Sequence, residues 1–297
     1  MSVRYCKLRV YGYIHTTNDE KFPDSAADYL FVSSEGRRIQ SSKAIMRQLT
    51  KILLVKLIVL GACVTLTAQT TDAVKEAQRL TRVAQVAEQQ NRLDDAIKAY
   101  ETIGIIARGA PRIAAAALLS AGNIYMGTGR FEKAAASFRA SAALDANSAE
   151  AQNNLGEALG ELKQYKLALA AFQQAVNIDG SFVRARYNMG VTYDRLGQMK
   201  YAEFVYRILI RDYAEFPLAY DSLAVSLSKS GRPREAIPFH QKAINLNPKD
   251  PSFYFNSAIS YLMLGDVKNA QEQKQKLQAL DPAMAEHLAV MIAKRQK

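Results

Sequence analysis

The chain has 297 residues, with 39 Lys and Arg against 28 Asp and Glu, for a formal net charge of +11. Its 49% hydrophobic and 23% charged residues are typical of a globular protein and exclude a disordered or collagen-like chain. Two cysteines are too few for a disulfide-dense scaffold or a four-cysteine zinc site. The positive charge raises the question of a nucleic-acid or membrane partner, and the answer depends on where the charges lie.

The most apolar segment, 52–68, has the layout of a secretory signal peptide. A basic region over 46–56 precedes the apolar region, and a small-residue cleavage site ends at Ala68. The uncharged stretch 57–71 has 15 residues, which is short for a transmembrane helix of about 17–25 residues. We therefore predict a signal peptide over 46–68 and a protein that is periplasmic or secreted, in the cell envelope of a bacterium.

Residues 1–45 precede this signal and show no sustained helical or strand period. We predict that translation starts at Met46 and that 1–45 are a non-native, disordered upstream extension. One alternative is a cytoplasmic tail on a retained signal anchor, held inside by its basic residues. Another is a lipoprotein, because the run Leu-Gly-Ala-Cys that ends at Cys63 resembles the bacterial lipobox, whose cysteine carries the lipid.

From residue 77 onward the chain repeats with a period of 34 residues. Positions are counted here from the first residue of each unit. Position 8 is Gly or Ala in every unit. Position 20 is alanine in every unit: Ala96, Ala134, Ala168, Ala202, Ala236 and Ala270. A fixed period of this length is typical of a solenoid.

The small and apolar residues at positions 4, 7, 8, 11, 20, 24 and 27 resemble those of the tetratricopeptide repeat (TPR) family, although the tryptophan of that family at position 4 is absent. The resemblance covers 77–284 and implies an all-α fold, a right-handed α-solenoid of six helix-turn-helix units, with 285–297 as a C-terminal capping helix. The predicted units are 77–114, 115–148, 149–182, 183–216, 217–250 and 251–284.

Each unit is expected to hold two antiparallel helices, A and B. The first unit is four residues longer than the others, and we predict an insertion around 104–111. Because glycine adopts a left-handed backbone easily, we expect the turn between the helices at four glycines. These are Gly129, Gly197, Gly231 and Gly265.

The predicted mature region, 69–297, has two histidines and no cysteine, which leaves few candidates for a metal site or a nucleophile–base pair. We therefore predict no enzyme, no cofactor and no metal. His240, at an aromatic position of its unit, is interpreted as a tolerated variation near an edge. The remaining candidate for chemistry is a cluster of three charged residues, Glu157, Asp194 and Arg195.

In the TPR family, helix A lines a concave groove, and eight residues of this sequence are predicted to bind a peptide there: Asn123, Asn154, Arg184, Tyr187, Asn188, Arg195, Phe255 and Asn256. A row of asparagines can hydrogen-bond an extended peptide backbone. The alternative is that asparagine is a common consensus residue that solvates the helix face. The groove of the last two units is apolar, with Leu218, Val225, Phe255, Ile259, Leu262 and Met263.

The sequence thus predicts an exported, non-enzymatic scaffold that binds a protein or peptide in its groove. The alternative function is an envelope-assembly lipoprotein that resembles the pilotin type and is lipidated at Cys63. Ten of the basic and five of the acidic residues lie in 1–68, so 69–297 carry a net charge of +6. Because this charge is spread over every repeat, no nucleic-acid partner is expected, and membrane contact is expected only through a signal anchor or a lipid.

Overall fold

The computed structural model describes residues 56 and 71–295. The predicted extension 1–45 and the predicted signal peptide 46–68, apart from Lys56, lie outside the described residues. Over 71–295 the fold is all-α, and no strand occurs in that range. The helices are α1 (71–89), α2 (Leu93–Ile106), α3 (Pro111–Gly127), α4 (Phe131–Leu144), α5 (Ala149–Glu161), α6 (Tyr165–Ile178), α7 (Val183–Arg195), α8 (Met199–Asp212), α9 (Pro217–Lys229), α10 (Pro233–Leu246), α11 (Pro251–Met263), α12 (Val267–Leu280) and α13 (Pro282–Arg295).

Helices α1 to α12 form six A–B pairs in chain order, so odd-numbered helices are A helices and even-numbered helices are B helices. From α3 onward, each A helix contacts the next A helix along the chain. Among the B helices, which are α2, α4, α6, α8, α10 and α12, no two are in contact. Successive A helices therefore lie closer together than successive B helices. The array curves with its A helices on the inner, concave side, which confirms the predicted helical solenoid.

The turn between helices A and B uses a left-handed residue at position 15 of every unit. Glycine takes this conformation without strain, which confirms the prediction for the four glycines. Two units use other residues there. The six residues and their φ angles are Asn91 (56°), Gly129 (70°), Lys163 (58°), Gly197 (72°), Gly231 (78°) and Gly265 (75°).

The core follows the small residues of the repeat. All six alanines at position 20 are completely buried. In the three units that have glycine at position 8, an aromatic ring from position 24 covers that glycine. The pairs are Gly122 with Phe138, Gly156 with Phe172, and Gly190 with Tyr206. The small residues therefore serve close helix packing.

The four residues that interrupt the 34-residue period are helical. The connection 107–110 between α2 and α3 is as long as 145–148 between the next two units. Helix α3 has 17 residues, whereas α5 has 13. The additional residues, 111–114, thus form an extra first turn of α3, and the insertion lies slightly beyond the predicted range of 104–111.

Helix α13 covers the end of the array. It contacts α11 and α12, and it buries Leu288 and Ile292 against the core of the last unit. Its start at Pro282 is three residues before the predicted capping segment. Within 71–295 no helix is long and apolar enough to cross a bilayer.

Candidate functional site

The concave face of α5 and α7 carries a network of polar side chains. Asn153 donates to Glu157 at 2.9 Å, and Asn188 donates to the same Oε1 at 2.8 Å. Arg184 joins the network through its Nε, 3.2 Å from Glu157 Oε1, and through its Nη2, 2.7 Å from Asn154 Oδ1. Several of the predicted groove residues are therefore brought together across two units.

The asparagines in this network also bond to one another. Asn154 is only 6% exposed, donates to Asn123 at 3.0 Å and accepts from Asn153 at 3.1 Å. Asn188 donates to Asn153 at 3.1 Å. Asn154 is predicted to hydrogen-bond a peptide backbone. In this structure its amide is buried and bonded to other residues of the network, so it is not free to do so. Asn123 is exposed, and its NH₂ group makes no described hydrogen bond.

Beside this network lies a cavity of about 470 Å³ between α5, α6 and α7. Its apolar wall includes Met126, Phe172 and Val191. Its charged residues are Glu157, Glu161, Lys163 and Arg195. Its volume and its apolar wall with a few charged groups are in the range of pockets that bind ligands.

Three of the charged cavity residues are available to a ligand. Glu161, Lys163 and Arg195 are exposed, and none of them forms an ion pair within residues 71–295. Lys163 has the left-handed backbone that glycine takes in four other units. Strained backbone tends to occur at functional sites. Of these three residues, the sequence pattern predicts only Arg195 as a groove residue, although a lysine at a turn position that favours glycine is a signal that points to Lys163.

Tyr187 is half-buried and links α7 to α9. Its hydroxyl lies 3.1 Å from the hydroxyl of Ser222, and its ring packs edge-on against Phe216 at 5.6 Å. Burial raises the pKa of Tyr187, and the Ser222 hydroxyl opposes that rise. Much of its surface is therefore already used inside the solenoid.

Asp194 points into the interface between α7, α8 and α9. It accepts hydrogen bonds from Tyr206 at 3.0 Å and from Ser226 at 2.8 Å. Burial raises the pKa of Asp194, and these two hydrogen bonds oppose that rise. Glu157 is bonded within the asparagine network instead, so no described hydrogen bond joins Glu157, Asp194 and Arg195 into the predicted cluster.

His240 is completely buried, which corrects the interpretation that it lies near an edge. Its Nδ1 lies 2.7 Å from Asp221, and its Nε2 lies 3.0 Å from Ser260. Asp221 also accepts from Asn256 at 2.8 Å, and Ser260 bonds to Ser228 at 2.7 Å. The histidine at this aromatic position is thus the centre of a polar network that joins three helices.

Asp221, His240 and Ser260 are bonded in the same order as the residues of a catalytic triad, in which the histidine acts as a base that activates the serine. However, Ser260 is 1% exposed, and the imidazole of His240 is not exposed at all. No substrate carbonyl could reach Ser260 in this structure, so the network serves packing. Residues 71–295 contain no group of three or more side chains placed to hold a metal.

The apolar groove of the last two units is only partly accessible. Leu218 and Met263 are 38% and 45% exposed, whereas Leu262 is 7% exposed and belongs to the core. Phe255 is half-buried, with its ring 5.8 Å from that of His287 on the capping helix. The capping helix thus reduces the predicted patch without removing it.

The repeat assignment is supported by comparison with known families. Models described as tetratricopeptide repeat match residues 119–183, 184–215, 219–252 and 241–272, which is just over half of the chain. The chain belongs to the TPR family of protein-interaction repeats. No curated protein matches the sequence.

Three solved structures place this chain among TPR solenoids. A MamA protein is 26% identical over 59% of this chain and 93% of its own, with a TM-score of 0.53. A TPR protein from Parabacteroides merdae ATCC 43184 is 19% identical over 75% and 87%, with a TM-score of 0.65. PilW, described as a type IV pilus biogenesis factor, is 24% identical over 69% and 94%, with a TM-score of 0.58. The last two likenesses show the fold alone.

Proposed function

We propose that this chain is a non-enzymatic scaffold that binds a segment of a partner protein on the concave face of its A helices. The observation that carries the proposal is the cavity beside α5 and α7. Its rim presents Glu161, Lys163 and Arg195 to solvent without ion pairs in the described region. Charged side chains at the rim of an apolar cavity give a ligand both contact area and orientation.

The polar network next to the cavity supports binding in a second way. Because Asn153, Asn154 and Glu157 hold one another, they fix the positions of Asn188 and Arg184 on the groove surface. A site whose side chains are already ordered loses less conformational entropy when a ligand binds. The asparagines therefore act as a support for the binding surface, and the exposed Arg184 and Arg195 are its polar anchors.

The direct test is site-specific photo-crosslinking in cells. A crosslinking amino acid at Glu161 or Arg195 should capture a partner, whereas the same group at Arg139 or Lys166, exposed on B helices, should not. Capture only from the B-helix positions, or from no position at all, would contradict the proposal. With the crosslinking amino acid at Glu161, Arg184→Glu with Arg195→Glu should abolish capture, and both arginines are exposed enough to be changed without loss of the fold.

We further propose that the protein acts in the cell envelope of a bacterium or outside the cell, after cleavage of the signal peptide. The support is the sequence pattern of 46–68. The alternative is an envelope-assembly lipoprotein anchored through Cys63. The intact mass of the mature protein separates the two, since cleavage gives an N-terminus at Gln69 and lipidation adds acyl chains to Cys63. Cys63→Ala should block only the second route.

A further inference from the structure

The groove of the last two units has two parallel rows of apolar side chains. Leu218 and Val225 are seven residues apart on α9, and Phe255, Ile259 and Met263 are four residues apart on α11. These spacings place each row on one face of its helix. We call these five residues the C-terminal apolar surface. It is partly accessible, and the most exposed members are Met263 at 45% and Leu218 at 38%.

Two carboxylates near this surface, those of Asp221 and Asp250, accept hydrogen bonds from other groups of the protein. Asp221 is 7% exposed and bonds to His240 and Asn256. Asp250 accepts from both the backbone N–H and the hydroxyl of Ser252 at the start of α11. The charge of Asp250 remains, because its donors are neutral, but Asp250 precedes α11 and lies at the opposite end of that helix from Met263.

The cations beside the surface are accessible. Arg195 and Lys229 are the last residues of α7 and α9, so they occupy equivalent places in successive units along one edge of the groove. Both are exposed, and neither forms an ion pair within residues 71–295. Burial raises the pKa of Asp194, and the positive charges of both residues oppose that rise through electrostatic attraction. The oxygens of that carboxylate accept hydrogen bonds from Tyr206 and Ser226.

The residue at the end of the A helix, which forms this edge of the groove, differs in charge from unit to unit. The last residue of α5 is Glu161, that of α7 is Arg195, that of α9 is Lys229, and that of α11 is Met263. Lys229 lies one turn after Val225 on α9, and Arg195 lies at the same end of the preceding A helix, α7, where it also lines the cavity beside α5. A ligand that complements this pattern combines apolar side chains with negative charge on one flank.

We propose that the C-terminal apolar surface, together with Arg195 and Lys229, binds a short amphipathic, acidic segment of a partner protein. This inference rests on the proposed function and names its partner class. Apolar side chains of the segment would pack between the rows on α9 and α11, and its carboxylates would meet Arg195 and Lys229. Charge complementarity would select the segment and speed its association, while the apolar contact would supply most of the affinity.

The test compares two labelled peptides of about 16 residues, roughly four helical turns, with the same leucines at helical spacing. One carries glutamates on the flank of its apolar face, and the other carries lysines at the same places. Fluorescence anisotropy with the full chain should show the acidic peptide binding about tenfold more tightly in low salt, with the difference shrinking as salt rises. Equal or tighter binding of the lysine peptide would overturn the inference.

Matched variants locate the site. Lys229→Glu alone, which leaves the cavity beside α5 and α7 unchanged, should reduce the preference for the acidic peptide. Arg195→Glu with Lys229→Glu should reverse that preference, and Met263→Ser should weaken the binding of both peptides. The control, Arg139→Glu with Lys166→Glu on B helices, changes the net charge equally and should leave the preference unaltered. A preference that moves with the control and not with the groove pair would contradict the inference, provided circular dichroism shows intact helices.

The alternative ligand for the C-terminal apolar surface is a second copy of this chain. If light scattering without peptide shows a dimer that Arg195→Glu with Lys229→Glu dissociates, the surface is a self-interface and the inference fails. These results are independent of the photo-crosslinking test. Groove crosslinks with no preference for the acidic peptide would overturn only the partner class, whereas crosslinks confined to B helices would overturn the proposed function itself.

Discussion

The aromatic ring of Phe172 lies against the backbone of Gly156. A Cβ atom on residue 156 would come within 2.6 Å of the ring, closer than any real contact of this type. Phe172 is 3% exposed, so moving its ring to make room for a methyl group would disturb the packing of the core. In this unit and in two others, glycine at position 8 makes room for the aromatic residue at position 24, whereas the first unit accommodates Ala84 together with Tyr100.

We expect Gly156→Ala to destabilise the protein relative to Gly160→Ala by about 1–3 kcal/mol, the usual cost of overpacking a core. Gly160 is the matched control because it lies on the same helix and a Cβ there meets no atom within 4 Å. Gly160→Ala alone should stabilise by about 1 kcal/mol through helix propensity. Urea unfolding measures both. Equal stabilities would show that the ring tolerates a methyl group.

The period of the sequence was sufficient to predict the helices, because small residues at positions 8 and 20 have one packing role wherever they occur. The polar site was less predictable. Asn154 occupies a groove position, yet its amide bonds to Asn123 and Arg184 because the spacing between units brings those side chains within 3.0 Å. That spacing is a property of the curvature, which no single repeat encodes.

The buried histidine shows the same limit. A polar residue at position 24 looks unfavourable when its unit is considered alone. His240 becomes acceptable only because α9 and α11 supply Asp221 and Ser260 to its two ring nitrogens. Buried polar groups need partners, and here the partners lie 19 and 20 residues away in sequence on other helices.

Lys163 should lower the stability of the third unit. A side chain in the left-handed region costs about 1–2 kcal/mol, and four other units avoid this cost with glycine. We expect Lys163→Gly to raise the free energy of unfolding by about 1 kcal/mol. Asn91→Gly, at the same position of the first unit, should gain less, since asparagine tolerates this backbone. Chemical denaturation checks both, and a loss of stability in Lys163→Gly would contradict the interpretation.

Asn153 should contribute more to stability than Asn123, although both belong to one network. Asn153 is completely buried and bonds to Asn154, Glu157 and Asn188. Asn153→Ala leaves these groups with lost partners and should cost about 1–3 kcal/mol. Asn123→Ala removes the acceptor of the Asn154 amide at the exposed end of the network, where water can replace it, and should cost about 0.5–1 kcal/mol. Thermal and urea unfolding measure the two losses of stability. Equal losses would contradict the hydrogen bonds described for Asn153.

Removal of Asp221 should destabilise the last two units. Asp221→Ala leaves the donors of His240 and Asn256 without an acceptor in a buried site, and we expect a loss of about 2–4 kcal/mol. Ser222→Ala is the control, because the adjacent hydroxyl bonds to Tyr187 and takes no part in the His240 network; its loss should cost about 0.5–1.5 kcal/mol. Hydrogen exchange of α9 to α11 should report the difference locally. Equal exchange in both variants would argue against a structural role for the network.

The stability of the fourth and fifth units should depend on the charge of Asp194. Burial raises the pKa of this carboxyl in the folded state above its value in the unfolded chain. The protonated form is therefore favoured by folding. The resulting stability is fully present below the unfolded pKa and is lost as the pH rises through the folded pKa.

Asp194→Asn removes this titration while keeping an oxygen that can accept from Tyr206 or Ser226. We expect the difference in unfolding free energy, wild type minus Asp194→Asn, to fall as the pH rises from about 3 and to level off before about pH 7. Urea unfolding at a series of pH values measures it. Other carboxylates titrate in the same range, but they are common to both proteins and cancel in the difference. A difference that is constant or increases with pH would mean that the hydrogen bonds from Tyr206 and Ser226 outweigh the burial of Asp194.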